Sequence, residues 1–188
     1  MSELRVYFAF RSPYSRLGLH KVAGLATDVP ITPIPFTGPA QGAAFLNPTD
    51  SPPKLAYYAE DAPRMTQRLG LPFAFPQPFE IGMAAAANRA FYAARREGRG
   101  LPFALAASDA RWGEGRDLTD EAVLAEIARG VGVAGDLTAR DREAEASDRA
   151  RLEADGVFGV PFAVLDQDGQ RQRFWGQDRF DLLAEALG

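Results

Sequence analysis

Strand-forming sequence is confined to the two ends of this chain, and the long stretch between about residues 38 and 155 is helical in pattern, punctuated by Gly and Pro. Any sheet must therefore join segments from opposite ends of the chain. Residues 4–10 are short, rich in β-branched and aromatic side chains, and run into Arg11-Ser12-Pro13, which reads as a buried strand entering a turn. Ser12 is a preferred N-cap and Pro13 suits the first helical position, so a helix is expected over 13–26, with Tyr14, Leu17, Leu19, Val22 and Leu25 as its apolar positions. Residues 31–36 read as a second strand. Pro33 and Pro35 remove ladder donors there and point to a short or edge strand. The opening is thus β-α-β, with a crossover long enough for parallel pairing.

The central stretch predicts helices over 52–69 (bent near Pro63), 83–97 (stopped by Gly98), 102–112, 120–129 and 138–154 (stopped by Gly156). Thr138 with Asp141 three residues on resembles a capping box for the last of these, and its dense run of alternating charges reads as a solvated face. The tail returns to strand character at 162–165 and 171–175 around a turn at 166–169, giving a hairpin. Asp178 is then expected to cap a final helix through Leu187, with Phe180, Leu182, Leu183 and Leu187 facing inward. The fold expected is α/β: a thioredoxin-like four-stranded mixed sheet with a large all-helical insertion. Residues 1–40 and 156–188 form its discontinuous sheet domain and 41–155 the helical insertion.

Composition then narrows the chemistry. Cysteine is absent from all 188 residues, which removes disulfides, thiolate metal sites, Cys nucleophiles and CxxC redox pairs. Histidine occurs once, at His20, so a His-rich metal site is excluded. A Ser-His triad is disfavoured because His20 lies eight residues after Ser12 on one helix, about 12 Å along its axis. With 21 basic against 25 acidic residues the formal charge is −4, so no broad positive field exists for nucleic acid or anionic membranes. No apolar stretch approaches the length of a membrane span. The amino terminus has neither a charged segment ahead of a long apolar one nor a small-residue cleavage site, and a cytoplasmic location is expected.

Ser12 is the most informative position. A hydroxyl at the end of a strand and the start of a helix sits where unpaired N–H groups and the helix dipole favour an anion, although it also serves simply as a cap. Val160-Pro161 enters a strand after Gly156-Val157-Phe158-Gly159. In a thioredoxin-like sheet a cis-proline there exposes the preceding backbone to a peptide-like ligand, while the plain alternative is an edge residue. Phe174-Trp175-Gly176-Gln177-Asp178-Arg179 brings amide, carboxylate and guanidinium groups to a helix start. The Asp is either a cap or a partner for an amino-acid terminus. Asn47 and Lys54, taken separately, are ordinary surface residues.

Together these features resemble the 2-hydroxychromene-2-carboxylate isomerase family, which is related to the kappa-class glutathione transferases and more distantly to helical-insertion disulfide oxidoreductases. The resemblance rests on Ser12-Pro13-Tyr14-Ser15, Asn47 followed by Lys54 and Tyr57, and Leu71-Pro72-Phe73 ahead of Phe75-Pro76. It continues through Gly113-Glu114-Gly115-Arg116-Asp117, Gly156 to Pro161, and Phe174 to Arg179, and so spans essentially the whole chain. It implies glutathione as cofactor, with Ser12 contacting its sulfur, Asn47 and Lys54 at ligand positions, Val160 and Pro161 at the cysteinyl unit, and Gln177 and Asp178 at the γ-glutamyl group. A small aromatic substrate would meet Tyr57, Tyr58 and Trp112. The resemblance also implies a homodimer.

The chain departs from the family at Ala9, where many relatives are acidic, at Arg11 before the serine, at Gly82 in place of a frequent asparagine, and at Phe162 in place of a common threonine. The reaction implied is glutathione-dependent interconversion of 2-hydroxychromene-2-carboxylate and trans-o-hydroxybenzylidenepyruvate. Two rivals use the same residues: a kappa-like transferase or reductase acting on another electrophile, and a non-catalytic thioredoxin-like module that binds peptides around Val160-Pro161.

Overall fold

The computed structural model describes every residue except Met1, Phe45, Leu46, Pro48, Thr49 and Met83. The chain runs β1 (Glu3–Phe8), α1 (Pro13–Ala23), β2 (Ile31–Pro35), α2 (Pro52–Arg68), α3 (Ala85–Arg96), α4 (Gly100–Gly113), α5 (Glu121–Gly130), α6 (Arg142–Asp155), β3 (Phe162–Gln167) and β4 (Gln170–Trp175). A single 3₁₀ turn (Gln177–Arg179) leads into α7 (Phe180–Ala186). The sheet order is β2-β1-β3-β4, with β1 parallel to β2 and antiparallel to β3, and β3 antiparallel to β4. The α/β fold is thus a thioredoxin-like four-stranded mixed sheet. β2 lies at its edge, where Pro33 and Pro35 cost no ladder bond to a second neighbour. Asp168 and Gly169, both left-handed at φ 54° and 77°, make the two-residue hairpin turn.

β1 is covered on both faces, and its alternation decides what each face holds. Leu4, Val6 and Phe8 enter one apolar cluster with Leu19, Val22, Phe91, Phe103 and Phe180. That cluster joins the sheet, α1 and α7 to helices of the middle stretch. Tyr7 faces the other way, with Ile34, Leu152, Val157, Phe162 and Val164. On this second face Arg5, 6% exposed, reaches across to Asp155 at the end of α6.

Four expectations are corrected. Thr138 does not cap α6: Asp141 does, accepting from the Ala144 N–H at 3.0 Å, while Thr138 turns back onto Asp136. A carboxylate one turn closer to the first apolar contacts supplies the stronger cap. The α6 charge run is not wholly solvated, because Asp148 and Asp155 flank Leu152 on a buried face and pair with Arg95 (2.6 Å) and Arg5 (2.7 Å). Asp178 does not cap the last helix. The chain enters it through the 3₁₀ turn after Gly176, and the Asp178 carboxylate pairs with Arg179 instead. Leu182 is 49% exposed rather than inward, since α7 is short and buries only Phe180 and Leu183. Boundaries also differ: β1 stops at Phe8, α1 ends at Ala23 with Gly24 returning its N–H to His20 and Lys21, and α3 begins at Ala85.

Candidate active site

The carboxyl end of β1 and the start of α1 are tied together by two serines. The Ser15 hydroxyl, fully buried, accepts from the Ala9 N–H at 3.1 Å, and the Ser12 Oγ accepts from the Ser15 N–H at 3.1 Å. The cap uses one lone pair of Ser12 and leaves its O–H proton to donate elsewhere. Capping and anion contact are therefore compatible at this residue. Behind it, α1 packs so closely on the Val160-Pro161 cis peptide and on α7 that a Cβ on Gly18 would stand 3.0 Å from both Pro161 and Phe180.

Ser12 opens onto a cavity of about 670 Å³. The cavity is lined by Ala9, Arg11, Ser12 and Val160, by Asn47 and, from α2, Lys54, Leu55 and Tyr58, by Phe75, Phe79, Glu80 and Trp112, and by Phe158 and Trp175. Tyr14 donates to Asp61 at 2.7 Å and meets Tyr58 edge-on with centroids 5.6 Å apart, which joins the start of α1 to α2. Burial, then that hydrogen bond, pushes the Tyr14 phenol well above its ordinary value, so it stays neutral. Trp112 spends its Nε1–H on the Phe10 carbonyl at 2.9 Å and presents its ring between Phe73, stacked at 6.2 Å, and Phe79, edge-on at 6.2 Å.

Of the residues singled out from sequence, the fold brings Ser12, Asn47, Lys54, Tyr58, Trp112 and Val160 to one cavity. Pro161 is buried behind it. Tyr57, 55% exposed, stands outside its lining, as do the buried Gln177 and the exposed Asp178, although their neighbour Trp175 is in it. Sequence reasoning assigned no role to Arg11, Phe75, Phe79, Glu80, Phe158 or Trp175. The alternation of Phe and Pro over 72–79 was the available signal, since it forbids a helix while keeping aromatic rings in play.

Two arginines hold that segment. Arg16, 1% exposed, donates from Nη1 to the Pro72 carbonyl (2.6 Å) and from Nε to Asp109 (2.6 Å), which also bonds His20 (2.8 Å). Burial raises the Asp109 pKa, but the bonds from His20 and Arg16 outweigh it and hold this carboxyl below its ordinary value. Arg111, fully buried, has no carboxylate partner among the described residues and donates to the Pro78 and Phe79 carbonyls at 3.3 and 2.5 Å. Desolvation lowers its pKa to about 10.

Residues 3–188 match the family described as DSBA-like thioredoxin domain. The chain is 28% identical over 196 residues to a 2-hydroxychromene-2-carboxylate isomerase of Pseudomonas putida, covering 97% of this chain and 92% of that protein. It is 24% identical over 207 residues to human glutathione S-transferase kappa 1, covering 98% and 90%. A solved 2-hydroxychromene-2-carboxylate isomerase superposes with a TM-score of 0.66 at 24% identity, over 98% of this chain and 94% of that one.

Proposed function

The chain belongs to the DSBA-like thioredoxin domain family, and from that premise we propose that it is a glutathione-dependent isomerase of the 2-hydroxychromene-2-carboxylate type. The observation that carries this reading is Ser12. In a chain without cysteine, the helix-capping hydroxyl keeps a proton to donate in the lining of an aromatic cavity. The residues fit the tripeptide. Arg11 and Lys54 supply cations for its carboxylates, Asn47 supplies an amide, and Val160 beside the cis-proline borders the same space. Gln177 and Asp178, next to Trp175, are proposed to take the γ-glutamyl group. Residues 1–40 with 156–188 are proposed as the thiol-binding unit and 41–155 as the unit that shapes the substrate end.

When bound, glutathione supplies a thiolate that adds reversibly to a conjugated double bond, so the bond turns as a single bond before the sulfur leaves. The protein's task is to keep that sulfur ionised. A free thiol has a pKa of about 8.5. A hydrogen bond from Ser12 to a thiolate stabilises it by about 1.5–3 kcal/mol, and the amino end of α1 adds about 0.3–1 kcal/mol. Each 1.36 kcal/mol moves the pKa by about one unit, which brings the sulfur near neutrality. Ser12 is a donor, so no histidine is needed to activate it. Tyr58 and Trp112 border the space for the aromatic partner, and Tyr57 at the α2 surface is proposed to meet its outer edge.

The similarity to the human kappa-class protein favours a second reading, in which the same thiol site transfers glutathione to another electrophile. Incubation with glutathione and chromene carboxylate, and separately with a chlorinated nitroarene, separates them: isomerisation consumes no thiol and transfer does. Titrating glutathione by calorimetry tests both, since the absence of heat, or turnover without the tripeptide, overturns the thiol reading. A cytoplasmic homodimer completes the proposal, and sedimentation tests the assembly. Among the described residues, no helix is long and apolar enough to cross a membrane.

A further inference from the structure

The segment 72–80 is a strap. Arg16 holds its first carbonyl and Arg111 the carbonyls of Pro78 and Phe79, while the Ala74 N–H bonds Trp112 at 2.9 Å and the Gln77 N–H bonds Gly115 at 3.2 Å. Gly115, at φ 77°, approaches so closely that a Cβ there would lie 3.1 Å from the Phe75 carbonyl. A buried arginine with only backbone carbonyls as acceptors is a costly fixture, and its position is best accounted for by what the strap presents. It sets Phe75, Phe79 and Glu80 into the cavity wall beside Trp112.

Glu80 is the only carboxylate among the described lining residues, and no hydrogen bond or ion pair from them engages it. Its charge is felt by Arg111 behind the strap. We infer that Glu80 is a specificity-determining residue that accepts a hydrogen bond from a hydroxyl on the ring of the aromatic co-substrate. The inference deepens the isomerase reading and rests on it for the need to hold an aromatic electrophile. The charge pattern selects the hydroxyl. A cationic ring would meet Arg11 and Lys54, which line the same cavity, whereas a ring carboxylate beside Glu80 would meet a like charge. A neutral donor satisfies Glu80 while its ring lies among Phe75, Phe79 and Trp112.

The test uses unreactive arenes with the group ortho to a saturated side chain and no thiol: 2-propylphenol, its methoxy analogue 2-propylanisole and its carboxy analogue 2-propylbenzoate. Binding is read from quenching of Trp112 and Trp175, which both line the cavity. The hydroxy compound is expected to bind about five- to tenfold more tightly than the methoxy compound, and Glu80→Ala to bring that ratio close to one. Glu80→Gln is expected to improve the carboxy compound several-fold. A wild-type ratio near one, a ratio unchanged in Glu80→Ala, or no quenching by any compound overturns the inference. Calorimetry with glutathione on the same protein separates the two ideas. Heat with a ratio of one leaves the thiol site and removes the Glu80 role, whereas a preserved ratio without heat does the reverse.

Discussion

Two polar regions lie along β1, one behind the sheet and one at its end, and they use their charges in opposite ways. Behind the sheet Arg5 donates to Asp155 (2.7 and 3.1 Å), Asp166 (2.6 Å) and Glu3 (2.8 Å), and the Tyr7 hydroxyl donates to Asp155 at 2.6 Å. The Tyr7 phenol is raised by burial and by that bond. Nearly every donor and acceptor there is matched inside the fold, so the knot offers nothing to a ligand. At the cavity, the Ser12 proton and the Glu80 carboxylate are not matched by described residues and Lys54 is exposed. Glu80 and Lys54 are exposed and Ser12 is half-buried, so solvent satisfies these groups until a ligand takes its place.

The largest effect that would break this contrast is Asp155→Ala. It leaves the Tyr7 hydroxyl without its acceptor and takes from Arg5 the buried one of its three carboxylates, Asp166 and Glu3 remaining, and is expected to destabilise the protein by about 3 kcal/mol in urea unfolding, with glutathione affinity unchanged in the folded fraction. A loss under about 1 kcal/mol would mean that the knot is not a buried structural unit. Ser12→Ala is expected to cost about 1 kcal/mol of stability through the lost cap, while raising the pKa of bound glutathione by a unit or more. Thiolate absorbance titration reads the second quantity, and an unchanged value removes Ser12 from the mechanism. Lys54→Met should weaken glutathione several-fold with a reduced salt dependence and no change in unfolding midpoint, because an exposed cation contributes to binding rather than to the fold. An equal loss at high and low salt would count against a charge contact.

The smallest effect belongs to Asp166. Hydrogen bonds from Arg171 and then Arg5 lower its pKa to about 2 against a mild burial penalty. The folded carboxyl is thus depressed below its unfolded value, and its contribution is present above about pH 4 and lost as pH falls through 2. Thermal unfolding of Asp166→Asn should show a shallower decline over that window than the parent. An identical acid limb would place the sensitivity elsewhere.

How much of this was legible in sequence differs by element. The 31–36 strand was readable as an edge because two prolines leave no second ladder to complete, and β2 is at the edge. Ser12-Pro13 marked the start of α1 and hence part of the cavity lining. The buried face of α6 was not legible, because Asp148 and Asp155 carry the period that apolar residues usually carry, and only the partners Arg95 and Arg5 make them interior. Asp178 failed as a cap because a carboxylate at a helix start has several local partners, and Arg179 next to it won.

Local pattern alone determined the β-α-β opening, the closing hairpin, the helical middle and, through the absence of cysteine, that any thiol must be brought in. Each of these depends on neighbours within a turn or two of chain, or on composition. Which residues surround Ser12 was decided only by tertiary structure. Glu80 reaches the cavity because buried Arg16 and Arg111 bind carbonyls far from them in sequence, and Trp175 because β4 pairs with β3. Contacts between distant segments depend on what each finds opposite it, and no local window of sequence contains that information.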